Sequence, residues 1–328
     1  MQPLDIPRLA VGEKIQGMFL ISERAEKTPQ NGDPFVILTL GNCTGSICTS
    51  PVWANQSEWA EGASRGKIVQ AIGQVQLYPR TGARQLALTA ALRVVPNDQV
   101  VMTDFLPGVA GGCDKLWEWI DRVRSEIRSA TLRRVLDLFY ADEAFRLRFE
   151  RTPASVGGHH AMLGGLLLHV FEVTTIARAT AKSVRADLDL VTAGALLHDI
   201  GKVEAYSVSN AGFGHTNCGM LIGHVVLGAM MLERAVVKAG DDVCSDVQQM
   251  ELQHIILSHH GALEYGSPVR PMTTEAEIVH WADEASAKAS DMSDSLTDDS
   301  NFTDGEEISS NRPWRVGRKV WRRSHRWE

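Results

Sequence analysis

Histidine and aspartate carry most of the chemistry this chain can do. Of its 11 histidines, ten lie between His159 and His280, and none precedes His159. His169 stands in Gly-Leu-Leu-Leu-His-Val, His198 and Asp199 in His-Asp-Ile-Gly-Lys202, and His224 in Gly-Met-Leu-Ile-Gly-His. His259 and His260 form a doublet in Ser-His-His-Gly261, and Asp283 follows two to three turns into a later helical pattern. Imidazole and carboxylate are ligands for divalent Mn, Fe, Co, Ni or Zn. One histidine on an apolar face is usually a satisfied core residue. Seven such groups on five segments are another matter, because each buried unpaired polar atom costs about 1–3 kcal/mol. A cation accounts for the whole set. The five cysteines are scattered, with no CxxC, which disfavours a thiolate-rich zinc site and leaves Mn, Fe, Co or Ni open.

The segments that must hold these residues read as helices. Ala161–Lys182 carries His169, Leu188–Leu197 ends at the His-Asp doublet, and Leu252–Leu257 leads into His259. Thr274 and Glu277 have capping-box spacing, so a helix bearing Asp283 is expected to begin there. Upstream, Leu116, Trp119, Ile120, Val123 and Ile127 recur at helical spacing, and a further helix is expected over Leu132–Tyr140. Residues 12–95 read differently. Five runs rich in apolar and β-branched residues, Lys14–Ile21, Pro34–Leu40, Gly45–Trp53, Ile68–Tyr78 and Arg84–Val95, are separated by Pro, Gly and Asn turns. A short helix is expected at Asn55–Ala63. Five strands with a helix between the third and fourth is the order of an OB-fold, a small barrel that often binds single strands. Phe35, Trp53, Tyr78, Arg80 and Arg84 are its candidate binding residues, although strand aromatics are usually core.

The chain is therefore expected to be a two-domain α+β protein: a five-stranded OB-like barrel over 1–98, a linker over 99–113, an all-α bundle over 114–290, and a distinct C-terminal stretch over 291–328. Its 328 residues suit two cores. Net charge −7 excludes a basic coat protein, no apolar run approaches a membrane span, and Met1–Ala10, with two prolines, does not look like a signal peptide. Dispersed cysteines fit a reducing, cytoplasmic setting. Asp283–Glu307 is acidic, with Ser293–Ser310 expected to be flexible. Arg312–Trp327 then interleaves seven basic residues with Trp314, Trp321 and Trp327. That end could grip nucleic acid, or it could dock on the acidic stretch or a neighbouring subunit.

The pattern H…HD…H…HH…D, with HHAMLGGLLLHV, LLHDIGKVEAY, GHVVLG, ILSHHGALEYGSP and EAEIVHWADEASAK around it, resembles the HD superfamily of metal-dependent phosphohydrolases. Together with the barrel it looks like the YhaM-type bacterial 3′–5′ exoribonucleases. The resemblance implies an HD-domain bundle in which His169, His198, Asp199 and Asp283 hold one metal and His224, His259 and His260 the other, with Asp199 bridging. It also implies a phosphate contact for Lys202, a place near substrate for His160, and a matching position for Glu264 and Tyr265. The implied cofactors are two divalent ions, Mn foremost, with Fe, Co, Ni or Mg as alternatives. The implied reaction is hydrolysis of single-stranded RNA or DNA from the 3′ end by a hydroxide activated between the ions. A homo-oligomer would fit the resemblance. Two rivals remain: an HD phosphohydrolase acting on nucleotides or cyclic dinucleotides, and a non-catalytic nucleic-acid-binding protein.

Overall fold

The computed structural model describes residues 3–29, 32–79, 82–96, 100, 104–209, 212–240 and 242–327. Two compact units emerge: Met1–Gly108 together with Val208–Gly214, and Val109–Ser207 together with His215–Glu328.

Seven strands make up the first sheet: β1 (Lys14–Lys27), β2 (Phe35–Asn42), β3 (Gly45–Thr49), β4 (Val52–Trp53), β5 (Ile68–Leu77), β6 (Arg84–Leu88) and β7 (Arg93–Val95). β1 pairs antiparallel with β2 and β5, β2 with β3, and β5 with β6, while a parallel β3–β6 pairing closes the ring. The barrel thus has five strands, as expected; β4 on β2 and β7 on β5 are short additions. Pro51 splits the third apolar run into β3 and β4, since proline cannot donate to a ladder. β1 outruns its expected end because one strand serves two neighbours. Lys14–Leu20 pairs with β5 and Leu20–Lys27 with β2, with a register shift between Ile21 and Glu23 that lets the strand bend. A 3-10 segment, Ala54–Ala60, stands where a short helix was expected. Phe19, Ile21, Leu38, Leu40, Val69 and Leu86 fill the barrel.

Ten helices follow among the described residues: α1 (Asp114–Glu126), α2 (Ala130–Tyr140), α3 (Glu143–Arg151), α4 (Gly165–Val184), α5 (Leu188–Leu197), α6 (Lys202–Ala205), α7 (Asn217–Leu221), α8 (His224–Ala239), α9 (Asp246–Ser258) and α10 (Thr274–Thr297). A hairpin of β8 (Tyr206–Ser209) and β9 (Gly212–His215) lies between α6 and α7. Val170 and Val173 of α4, Leu196 of α5, Ile255 and Ile256 of α9 and Val279 of α10 share one core. Local signals set the boundaries. Asp187 caps α5 by accepting from the amides of Asp189 and Leu190, and Ser245 and Gln248 form a reciprocal capping box on α9. None of the described helices is long and apolar enough to cross a membrane.

Two expectations about the end of the chain need correction. The N-cap of α10 is Thr273, whose hydroxyl accepts from the Ala276 amide, one residue before the expected Thr274. Residues 293–310 are not a loose stretch: α10 continues to Thr297, across the 290/291 boundary, and a 3-10 turn at Asp299–Asn301 follows. The basic end packs against this acidic region. Arg315 pairs with Asp294 at 2.6 Å, Arg322 with Asp299 at 2.5 Å, and the Trp321 indole N–H donates to Glu307 at 2.8 Å.

Candidate metal centre

Asp199 sits at the middle of the histidines. It follows the end of α5, is buried, and aims its two oxygens in different directions. Oδ2 is 3.2 Å from His169 Nε2 and 3.2 Å from His198 Nε2. Oδ1 is 3.4 Å from His224 Nε2 and 3.6 Å from His259 Nε2. Asp283, from the third turn of α10, places Oδ1 3.0 Å from His169 Nε2 and 3.9 Å from His198 Nε2. The ligand atoms of His169, His198 and Asp283 lie within 4.8 Å of one another, and so do those of His224, His259 and His260. All seven sequence candidates for metal ligation therefore meet, as two clusters with Asp199 between them.

Backbone geometry turns these rings inward. His198 and His259 each follow the last turn of a helix, where carbonyls have no N–H partner. Their Nδ1–H groups donate to those carbonyls, His198 to Ala195 O and His259 to Ile256 O, both at 2.7 Å. His260 Nδ1 donates to Tyr265 O at 2.7 Å. His169 Nδ1 donates to Ser286 Oγ at 3.2 Å, and Ser286 in turn donates to Glu172 Oε2 at 2.7 Å. In each case the outer bond holds the ring with Nε2 facing Asp199 or its cluster, the arrangement a metal ligand requires. Gly201 allows the doublet this position. A Cβ there would lie 1.9 Å from His224 O and 2.5 Å from Gly228 N, so the turn after Asp199 rests directly on the start of α8.

The electrostatics are those of a site built for cations. Both Asp199 oxygens, His224 Nε2 and His259 Nε2 are buried without a hydrogen bond of good geometry. Native interiors seldom leave such groups unpaired. Burial holds His224 down at about 3, and burial with the neighbouring His260 holds His259 well below its ordinary range, so both rings are neutral. Burial also opposes the charge on Asp199, yet Lys202 and His198 outweigh it and keep the carboxyl far below its usual value. At His169 burial is outweighed by hydrogen bonds to Asp199 and Asp283, which draw a proton toward a position that a cation would otherwise satisfy. The donor set, imidazoles and carboxylates without thiolate, fits divalent metal.

The remaining candidates are placed as follows. Lys202 is buried with Nζ 2.6 Å from Asp199 Oδ2. His160, in a left-handed backbone conformation, donates Nε2–H to Glu172 Oε2 at 2.9 Å. Its neighbour His159 lies closer to the centre: its ring is 5.1 Å from that of His169 and its Nε2 is unpartnered. Glu264 and Tyr265 form an exposed 3-10 turn. In the barrel, Phe35 and Trp53 pair across β2 and β4 with rings 4.8 Å apart, and Trp53 is 42% exposed, so neither belongs to the core. Tyr78 lies exposed just past β5. Arg84 donates from one guanidinium nitrogen to both Pro7 O and Leu9 O. Arg80 lies outside the described residues. Glu172, Ser286 and His159 were not singled out from sequence; the Glu172–Ser286 link depends on α4 meeting α10, and only the position of His159 beside His160 hinted at it.

Residues 166–288 match the HD domain family. The helical unit with its paired His/Asp clusters is thus an HD domain, the class named for the doublet seen here as His198-Asp199. Over nearly the whole chain the similarity is more specific. The sequence is 33% identical over 291 residues to the 3′–5′ exoribonuclease YhaM of Bacillus subtilis (strain 168), covering 87% of this chain and 88% of that protein. It is 32% identical to YhaM of Bacillus velezensis, covering 85% and 86%, and 31% identical to YhaM of Listeria welshimeri, covering 83% and 85%. The chain belongs to the YhaM family.

Proposed function

We propose that this protein is a metal-dependent 3′–5′ exonuclease that hydrolyses the phosphodiester bonds of single-stranded RNA. The observation that carries the reading is Asp199, a buried carboxylate whose two oxygens each face a separate cluster of imidazole nitrogens. We assign His169, His198 and Asp283 to one divalent ion and His224, His259 and His260 to a second, with Asp199 shared, and Mn as the first choice of metal. When bound, such ions supply Lewis acidity toward a phosphoryl group and lower the pKa of water.

The chain's own residues do the rest. His198, His259 and His260 are locked in one tautomer by backbone carbonyls, so no reorganisation is needed when ligands engage. Burial tends to deprotonate Lys202, but Asp199 outweighs it and raises the ammonium above its ordinary value, keeping a fixed positive charge where a non-bridging phosphate oxygen gains negative charge. His159, neutral and unpartnered at the wall of the site, is placed to donate to substrate. The test uses 5′-labelled single-stranded RNA, single-stranded DNA, a dNTP and a cyclic dinucleotide, each with Mn²⁺ and with EDTA. A ladder of 5′-labelled RNA products only in Mn²⁺ is expected. Hydrolysis of the dNTP or cyclic dinucleotide with RNA left intact would replace this reading with that of a nucleotide phosphohydrolase.

A further inference from the structure

We propose that the C-terminal segment, residues 311–327, and the adjoining face of α10 form a track for the single-stranded RNA that trails from the scissile 3′ end; this rests on the RNA reading above. The segment divides its side chains between two tasks. Arg315, Arg322 and Trp321 anchor it to Asp294, Asp299 and Glu307, and the Arg322 guanidinium lies 4.1 Å over the Phe302 ring. Arg312, Arg318, Lys319, Arg323 and Arg326 have no ion pair or hydrogen bond among the described residues, so five positive charges stand without counter-charge on a segment that has no acid between 311 and 327. Docking therefore partners Asp294, Asp299 and Glu307 and leaves those five basic side chains unpaired.

Aromatic surface accompanies that charge. Trp314 is 74% exposed, with the Arg315 guanidinium 5.5 Å from its ring centre, and Trp327 is 83% exposed. Trp314 borders a cleft of about 590 Å³ between the end of α10 and residues 311–315. Of the two carboxylates lining that cleft, Asp294 is paired with Arg315 and Asp298 accepts at Oδ1 from the Ser300 hydroxyl and amide, while Arg312 and the indole stand beside them without a polar partner. Guanidinium groups beside an exposed indole are what phosphates and stacked bases require.

α10 relates this surface to the metal centre. Asp283 belongs to the centre, and Asp294, eleven residues on, receives Arg315. At 1.5 Å rise per residue the two are ~17 Å apart along the helix, about five stacked nucleotides at ~3.4 Å each. Lys288, between them, pairs with Glu284 on the same helix. A strand with its 3′ end at Asp199 reaches the segment after several nucleotides, whereas a dinucleotide does not.

The experiment compares the full-length protein with two variants, Arg312→Gln/Arg318→Gln/Lys319→Gln and Trp314→Ala. Binding of a fluorescent single-stranded RNA of ~20 nucleotides is measured in EDTA across a salt series, and turnover is measured in Mn²⁺ on that RNA and on a dinucleotide. The triple variant should bind at least ~10-fold more weakly and lower the salt slope by ~2, at ~0.7 for each phosphate no longer neutralised. Trp314→Ala should cost ~5- to 150-fold, the range for removing the support of one stacked base. In both variants KM for the long RNA should rise relative to that for the dinucleotide. Affinity and salt slope unchanged in both variants, with a wild type that degrades RNA, would overturn the track alone. A change of molar mass by light scattering would show a subunit contact and overturn it as well. A wild type that binds RNA through these residues yet never cleaves it would leave the track standing and remove the exonuclease reading.

Discussion

Burial works against a charge on Asp199, and the histidines and Lys202 around it work for one; the second effect prevails. The arrangement is stable only with positive charge nearby, so Asp199→Ala should reduce RNA hydrolysis to background and lower the metal content found by elemental analysis. Full activity in that variant would mean the centre lies elsewhere. Glu172 acts one step removed, through Ser286 on His169 Nδ1. Glu172→Gln should raise the Mn²⁺ concentration for half-maximal activity by ~10–100-fold, the usual cost of losing such a partner, with little change at saturating metal. An unchanged metal requirement would make the link idle. The ligands were legible in sequence because imidazole and carboxylate types are themselves the signal. Glu172 and Ser286 were not, because they are 114 positions apart and nothing in either local pattern announces their meeting. His159 and His160 look alike in sequence; only the left-handed turn at His160 decides which ring turns toward His169 and which toward Glu172.

At the scale of elements, the centre depends on how closely helices approach. A methyl group at Gly201 would meet the backbone of His224 and Gly228, which cannot yield as a side-chain tip can. Gly201→Ala should therefore destabilise the helical unit by about 1–3 kcal/mol or more, as overpacking does, and weaken metal binding by displacing His224. Thermal melting with and without Mn²⁺ would read both effects, and a normal Tm with normal metal affinity would contradict the close packing. Helix existence was readable from periodicity, as over Leu116–Ile127 and Leu188–Leu197. Boundaries were less so: Thr273 and Thr274 are equal candidates for a cap until packing sets the register of α10. The full length of β1 was hidden because Ser22–Lys27 is polar on a strand that only pairing with β2 maintains. The basic end was legible as two alternatives, and the structure divides it residue by residue, with Arg315 and Arg322 docked and their neighbours free.

For the whole molecule, charge and pH follow from the same groups. A histidine whose folded pKa lies below its free value of about 6.5 takes up a proton on unfolding between those values, so stability rises with pH there. Burial places His159 and His224 at about 3 and His259 well below its ordinary range. His169, raised, opposes them, while Asp199 and Asp283, both depressed, add a further loss in acid. Metal-stripped protein should lose Tm from pH 7 to pH 5, at about 1.4 kcal/mol per pH unit for each net proton. A flat or rising Tm would show that these rings are not neutral in the folded state. The two clusters also differ in what they offer. One has the carboxylate of Asp283 in addition to its share of Asp199; the other has three imidazoles and that share alone. Occupancy should therefore be ordered. A graded chelator series should empty the trihistidine position first and pass through a half-loaded protein, so that the supply of metal, as well as the supply of RNA, sets how much of the enzyme is at work.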